Sequence, residues 1–427
     1  MRRCHVAGAI IVALGLARPL AAQPLAPSDT LLARLTVEAL AANPGLAQLA
    51  ARARAAAARI RPTGALADPT VSVGVMDLTL PSFAFRKSEF TEVDIELSQA
   101  FPWPGTLGAQ ARAAGAMARG ARLGTSVLER DVILRIATLY YRLQYVRAAR
   151  QTLARQQRLF QVAVEISTAR YGTGAAPQSD PLQARIALAR LSTDSAALAA
   201  EEAGLRAGLR ALRSIRDTEE LAVAPIDVDR VIAMDGDTAS QVEGLERGDP
   251  LAAHPRLRTR EAEIEAALET ARAATLQGRP DFMISSRYGA RPLGSDFFSA
   301  FAVVRVPIWA GRKQGLLAEA ARTDVEAARR GLDDERVALT ADLERTLALA
   351  RASATRLRLL VQSVLPLTRE GVEAALRGYR TGQSAFLSVL SAEDTNYRVE
   401  LEAAEVAAQR LTQLVMLEQL LAPESAP

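Results

Sequence analysis

Tyr171-Gly172-Thr173-Gly174 and, 208 residues further on, Tyr379-Arg380-Thr381-Gly382 decide the reading of this chain. At the same offset Leu182 matches Leu390 and Ala184 matches Ala392. Moving towards the N-terminus of each copy, Pro102-Trp103-Pro104-Gly105 recurs, with one insertion, as Pro307-Ile308-Trp309-Ala310-Gly311. Pro69 recurs as Pro280, and Asn43-Pro44-Gly45-Leu46 as His254-Pro255-Arg256-Leu257. Chance matches would not keep one order at offsets of 211, 211, 205 and 208. The chain is therefore two copies of one unit, a signal that governs every later inference about the fold. Between the paired prolines the first copy is six residues longer, 33 against 27, which places the difference in a loop.

Each copy reads as helix, two strands and a long helical hairpin. Glu261 to Ala274 is alanine-rich and built of strong helix formers. The period then changes to two. Val71, Val73 and Val75 alternate with Ser72, Gly74 and Met76, and Val93, Ile95 and Leu97 with Glu92, Asp94 and Glu96. In the second copy Phe282, Ile284 and Tyr288 alternate with Met283, Ser285 and Arg287, and Phe298, Ala300, Ala302, Val304 and Val306 share one face. Segments of about ten residues with one apolar face fit half-buried strands and membrane-barrel strands equally well. Beyond Gly105 the spacing returns to the helical kind: Val132, Ile136, Leu139, Leu143, Val146, Leu153, Phe160 and Val164 form a near-heptad seam, interrupted by Arg150 and Gln157. A helix from Gly105 to about Ala169 would be roughly 95 Å long at about 1.5 Å per residue, which calls for antiparallel coiled-coil packing.

Composition removes several classes of protein. The 427 residues are 49% apolar, 4% aromatic and 23% charged, with a mean hydropathy of +0.05. No apolar run approaches the roughly 18 residues of a membrane helix, which argues against a polytopic helical membrane protein, and the apolar fraction argues against global disorder. The isoelectric point near 9.5 does not mark a nucleic-acid partner: Lys87 and Lys313 are the only lysines, and the arginines are spread among alanines and acids rather than gathered in a stripe. Arg2 and Arg3, the apolar stretch Val6 to Leu16 and the small residues before Gln23 have the order of a secretory signal cleaved near Ala22. Cleavage removes Cys4 and His5 and leaves His254 as the single histidine, so zinc sites built on Cys or several His, disulfides and thiolate nucleophiles are not expected. Cys4 precedes the apolar stretch and is not placed for N-terminal lipidation. No nucleophile–base or metal-ligand grouping appears, so no enzyme and no cofactor is expected.

The resulting map is a signal peptide over 1–22, an N-terminal extension over 23–35, a first repeat over 36–215, a linker over 216–246, a second repeat over 247–421 and a tail over 422–427. Strands are expected at about 70–80, 90–101, 281–290 and 297–307, and helical hairpins at about 105–213 and 311–421. Four strands cannot close a barrel with an interior, since closure takes about eight or more. If these strands span a membrane, several chains must share one barrel, while the polar helices project into water.

The paired turns, each followed by the Leu and Ala matches, together with the duplicated unit and the signal peptide, make the chain resemble the TolC-like outer-membrane efflux protein family over almost its whole mature length. The resemblance implies a fold that is mainly α with a small β part: a homotrimer whose three chains build a twelve-stranded outer-membrane barrel continued by a twelve-helix periplasmic tunnel. It implies a passive exit duct for small molecules or metal ions, docked to a periplasmic adaptor and to an inner-membrane transporter, here expected to be proton-driven. The outlet of a type I protein secretion system is the alternative within transport, and a periplasmic coiled-coil adaptor or scaffold the alternative of another class.

The resemblance also assigns residues. Tyr171, Gly172, Gly174, Tyr379 and Gly382 would form the adaptor-docking tips; independently of it, glycine at these turns permits the left-handed backbone of a tight hairpin. Ser388 and Ser391 stand where family members carry constriction carboxylates, with Asp180 at the first-copy position matching Ser388 and with Glu393 and Asp394 close by. Three copies of an acid near an axis would favour cations; the serines instead predict a weak cation preference, and Glu393 and Asp394 read equally well as solvated charges. Glu92, Asp94 and Glu96 cannot face lipid cheaply and should face the lumen. Trp103 and Trp309 mark the strand-to-helix joints, as interfacial or simply packed residues. His254, the counterpart of Asn43 ahead of a proline, reads as a helix cap rather than a metal ligand.

Overall fold

The computed structural model describes residues 25, 29–78, 80–81, 83–216, 221–234 and 251–422. The expected signal peptide and much of the expected inter-repeat linker lie outside the described residues. The first repeat comprises α1 (Thr30–Ala42), α2 (Pro44–Thr63), β1 (Thr70–Met76), β2 (Glu92–Phe101), α3 (Thr106–Gly172) and α4 (Ser179–Leu212). After the short α5 (Val228–Ala233), the second comprises α6 (Pro255–Leu276), β3 (Asp281–Ala290), β4 (Phe297–Arg305), α7 (Gln314–Leu359), α8 (Leu365–Arg380) and α9 (Phe386–Leu421). A single π turn, Leu360–Val364, joins α7 to α8 ahead of Pro366.

The two copies begin with the same device. Asn43 Oδ1 accepts from the N–H groups of Gly45 and Leu46 at 2.9 and 3.3 Å, and His254 Nδ1 accepts from the N–H of Arg256 at 3.3 Å. Each cap precedes a proline in the first turn, where its missing N–H would have had no helical partner. The cap expected of His254 is thus observed. Burial, then the charges of Arg130 and Arg256, lower its pKa to about 4, so the ring that accepts the cap bond is neutral near neutral pH.

α3, at 67 residues, is about 100 Å long. Along its seam Val132, Ile136, Leu143, Val146, Leu153 and Phe160 are buried, with Leu139 and Val164 packed at the margin. Around its middle, α1, α4, α5, α7 and α9 close the main core, in which Leu35, Ile136, Leu143 and Leu414 are almost fully covered. Leu153, Phe160 and Leu191 meet Phe386, Leu390 and Tyr397 in a second cluster nearer the hairpin turns. The arginines that give the high isoelectric point serve here as counter-ions between helices. Buried Glu202 on α4 pairs with Arg147 and Arg150 of α3 and with Arg206. Burial disfavours its charge, yet the three guanidiniums outweigh that cost and hold its carboxyl below the ordinary glutamate range. Arg142 similarly bridges Glu201 on α4 and Glu405 on α9.

The four strands form one antiparallel sheet in the order β1-β2-β3-β4. Its centre is the pairing of β2 with β3, so the sheet is where the two repeats are stitched together. β1 and β4 are its edges, with no further strand of this chain beside them among the described residues. The expected extension of β1 to residue 80 stops at Met76, where Asp77 takes a positive φ of 53° and turns the chain into the longer loop of the first copy.

Candidate functional site

Two surfaces carry the sequence-predicted residues: the sheet at one end of the rods and the hairpin turns at the other. In the sheet, register sorts the side chains. Val73 pairs with Ile95, Ile95 with Tyr288 and Tyr288 with Phe298, so these stand in one row on one face. Val71, Val73, Ile95, Ile284, Phe298 and Val304 are all exposed there. On the opposite face Ser72 pairs with Glu96, Glu96 with Arg287 and Arg287 with Ser299. Glu92, Asp94 and Glu96 therefore share the face away from the apolar band, and Glu92 and Asp94 are buried even in the isolated chain.

What covers the acids is a pair of arginines that the period-two reading left unassigned. Arg287 Nη2 donates to Glu96 Oε2 at 3.0 Å, and its Nε lies 3.8 Å from Asp94 Oδ2. Arg291 Nε lies 3.4 Å from Glu92 Oε2, and its guanidinium stacks over the Phe297 ring at 4.6 Å. That ring lies across Gly289, where a Cβ would come within 2.2 Å of it. No local period could have found this pairing: Arg287 shares the polar face of β3 with Asp281, and only the β2–β3 register sets it opposite Glu96.

At the far end the two hairpin turns have the same backbone. Gly174 N–H donates to Tyr171 O at 3.0 Å and Ala175 N–H to Arg170 O at 2.8 Å; Gly382 N–H donates to Tyr379 O at 3.2 Å and Gln383 N–H to Gly378 O at 2.8 Å. These are two Schellman closures with the glycine left-handed, φ 73° at Gly174 and 74° at Gly382. Nothing lies within 4 Å of where either Cβ would stand, so the dihedral angle, not lack of space, calls for glycine. Gly172 is simply the last residue of α3. The turns touch: the Arg170 guanidinium lies over the Tyr379 ring at 4.7 Å, and that ring packs against Phe386 at 5.4 Å. Tyr171, in contrast, is exposed.

The constriction candidates divide. Ser388 and Ser391 are exposed and line a groove of about 680 Å³ between α8 and α9, with Leu367, Gly371 and Thr395. Asp180 lies in the first turn of α4 beside Ser179. Asp394 pairs with Arg398 at 2.8 Å on its own helix and borders a second cavity with Arg190 and Asp194 of α4, which Ser391 also lines. Glu393 is half-buried, and burial pushes its carboxyl above the ordinary range. Single-chain geometry thus brings the two serines together in one groove and leaves Asp180 apart from it.

Trp103 stacks on Phe282 at 5.9 Å, its backbone N–H donating to Asp281 Oδ1 at 3.0 Å, whereas Trp309 is exposed. No helix among the described residues is long and apolar enough to cross a membrane, and no group of three or more His, Cys, Asp or Glu there could hold a metal ion.

Residues 248–422 match the protein-family model described as Outer membrane efflux protein. In three dimensions the chain is similar to CusC, solved in a study of folding and transmembrane channel formation, with a TM-score of 0.80 and 16% identity over 96% of each chain. It is similar to the outer membrane protein VceC of Vibrio cholerae, TM-score 0.76 and 17% identity, over 92% of this chain and 96% of that one. The MtrE outer membrane channel of Neisseria gonorrhoeae in its open state matches with a TM-score of 0.71 and 16% identity, over 91% and 88%. No curated protein matches the chain. That family's pattern over the second repeat, and the fold of these channels over nine-tenths of its length, are what this chain shares with outer-membrane efflux proteins.

Proposed function

We propose that three copies of this chain form a passive outer-membrane channel, the exit duct of a tripartite system that moves small molecules or metal ions out of the cell. The observation that carries the reading is the sheet: four strands with two open edges, one continuous apolar face and one charged face, mounted on helical rods too polar for lipid. An isolated sheet of this kind leaves backbone groups unpaired within hydrocarbon, at a cost of several kcal/mol each. Joining β4 of one chain to β1 of the next removes both edges and yields twelve strands with the acids inside. The helices then continue the duct through the periplasm. Detergent extracts of outer membranes should contain a trimer that conducts ions in planar bilayers; release of the protein by salt or alkali without detergent would instead favour the adaptor or scaffold reading.

The paired turns face away from the barrel and are the docking tips for a periplasmic adaptor, which links the channel to an inner-membrane, proton-driven transporter. Gly382→Asp, in a protein that still trimerises, should abolish adaptor pull-down, and undiminished binding would sink this role. With Ser388 and Ser391 in the groove at the tip, the tip itself should prefer cations only weakly. Strong cation selectivity removed by Asp180→Ala would transfer the filter to Asp180. Neighbouring genes for an exporter ATPase and a secreted substrate would favour the protein-secretion outlet.

A further inference from the structure

The charged face of the sheet is not a bare acidic stripe. Arg287 spans it from β3 across β2: Nη2 bonds Glu96, Nε approaches Asp94, and Nη1 reaches Met76 Sδ on β1 at 3.7 Å. Glu96 and Arg287 are direct cross-strand partners, so one acid and one arginine stand at a single height of the sheet. Above them the Asp94 carboxylate folds over Gly74, its Oδ1 2.8 Å from where a Cβ on that residue would be, and this oxygen has no hydrogen-bond partner. Glu92, Asp94 and Glu96 with Arg287 and Arg291 leave one net negative charge per chain.

We infer that Arg287 is the specificity-determining residue of the barrel, a fixed counter-charge that keeps three ranks of acids from making this segment strongly cation-selective. The inference rests on the channel reading, in which this face lines the lumen. Its physics is direct. A guanidinium stays charged across the whole working pH range, so its neutralising effect is not titrated away. Asp94 is 6% exposed and offers passing ions little direct contact, but its field still reaches them unless a cation stands beside it. Closure by three chains would repeat the Glu96–Arg287 pair as a ring at one level of the lumen. A unit charge about 7 Å from a passing ion in bulk water changes that ion's local concentration roughly threefold, so exchange of one charge per chain is readable as selectivity.

The test is the reversal potential of the purified full-length trimer in a planar bilayer under a potassium chloride gradient. Arg287→Gln should raise the cation-to-anion permeability ratio at least about threefold, Glu96→Gln should move it towards anions, and Glu96→Gln with Arg287→Gln should return it to the wild-type value. Should Arg287→Gln fail to assemble because it leaves Asp94 uncompensated, Glu96→Gln and the double variant still decide. Unmoved reversal potentials in conducting channels overturn the assignment. A wild-type trimer that conducts no ions overturns the channel reading beneath it, a separate failure.

Discussion

The two repeats share their turns and differ in what surrounds them. At the tips the Schellman closures agree hydrogen bond for hydrogen bond, yet the matched residues that follow exchange environments: Leu182 is 50% exposed and Ala184 fully buried, while Leu390 is 7% exposed and Ala392 half-buried. The rods leading to the tips differ as well. α3 is continuous and buries its seam throughout, whereas the second rod changes to a π turn before Pro366 and its last segment, α8, buries none of its residues. The joints differ in the backbone itself, with Gly105 left-handed at φ 93° and its counterpart Gly311 in ordinary backbone. At the tips duplication preserves what backbone geometry demands and releases what packing demands, because two copies folded against each other cannot have identical neighbours.

The sharpest way to break this contrast is in the rods. Ile136→Ala should cost about 2–5 kcal/mol, as in other core truncations that leave a cavity. Leu367→Ala, at a side chain 65% exposed in the single chain, should cost less than about 0.5 kcal/mol within the chain. Thermal unfolding followed by circular dichroism compares them. A large loss at Leu367 confined to the proposed trimer would mean that a neighbouring copy covers α8.

Glycine substitution comes next. Gly174→Ala and Gly382→Ala should each cost about 1–2 kcal/mol, because the left-handed conformation is strained for alanine wherever it occurs. Gly105→Ala should behave like them, and Gly311→Ala should be close to neutral since its site is open and its φ unexceptional. Unequal losses at Gly174 and Gly382 would mean that the tips are not energetically equivalent.

Smaller effects belong to the caps. His254→Ala should lose about 1 kcal/mol, and His254→Asn, which copies the first repeat, should retain most of it. The sign of the pH effect follows from the lowered pKa: between its ordinary value of 6.5 and about 4 the unfolded ring is protonated and the folded one is not, so stability falls as pH drops through that window. Acid titration of the unfolding transition should show this component in the wild type and not in His254→Asn, while Asn43→Asp should leave it in place. The smallest effect is expected at Pro366→Ala, which removes the residue unable to donate a backbone bond; a crystal structure would show the π turn relaxed to ordinary helix.

Much of this architecture is legible along the chain because its causes are local. Period two in Val71–Val75 and Val93–Leu97 assigns strands and their faces, the 4-3 spacing from Val132 to Phe160 assigns a rod and its seam, and an unhindered glycine after Tyr171 or Tyr379 marks a helix stop. The pairings of Arg287 with Glu96 and Asp94, of Glu202 with Arg147 and Arg150, and of Arg170 with Tyr379 are not legible in this way. Their partners lie far apart in sequence or on different repeats, and arginines are spread almost evenly along the chain, so spacing singles out none of them.

The duplication is written in the order of matched motifs, and the order helix, strand, strand, hairpin and the face on which Glu92, Asp94 and Glu96 stand follow from dihedral preference and periodicity within a few residues. Folding in three dimensions is what pairs β2 with β3 and so joins the repeats, brings Arg287 and Arg291 to the acids, and places a π turn in the second rod. Those outcomes depend on which distant segments share a neighbourhood, and charge and packing are settled there by through-space contact that no local period encodes.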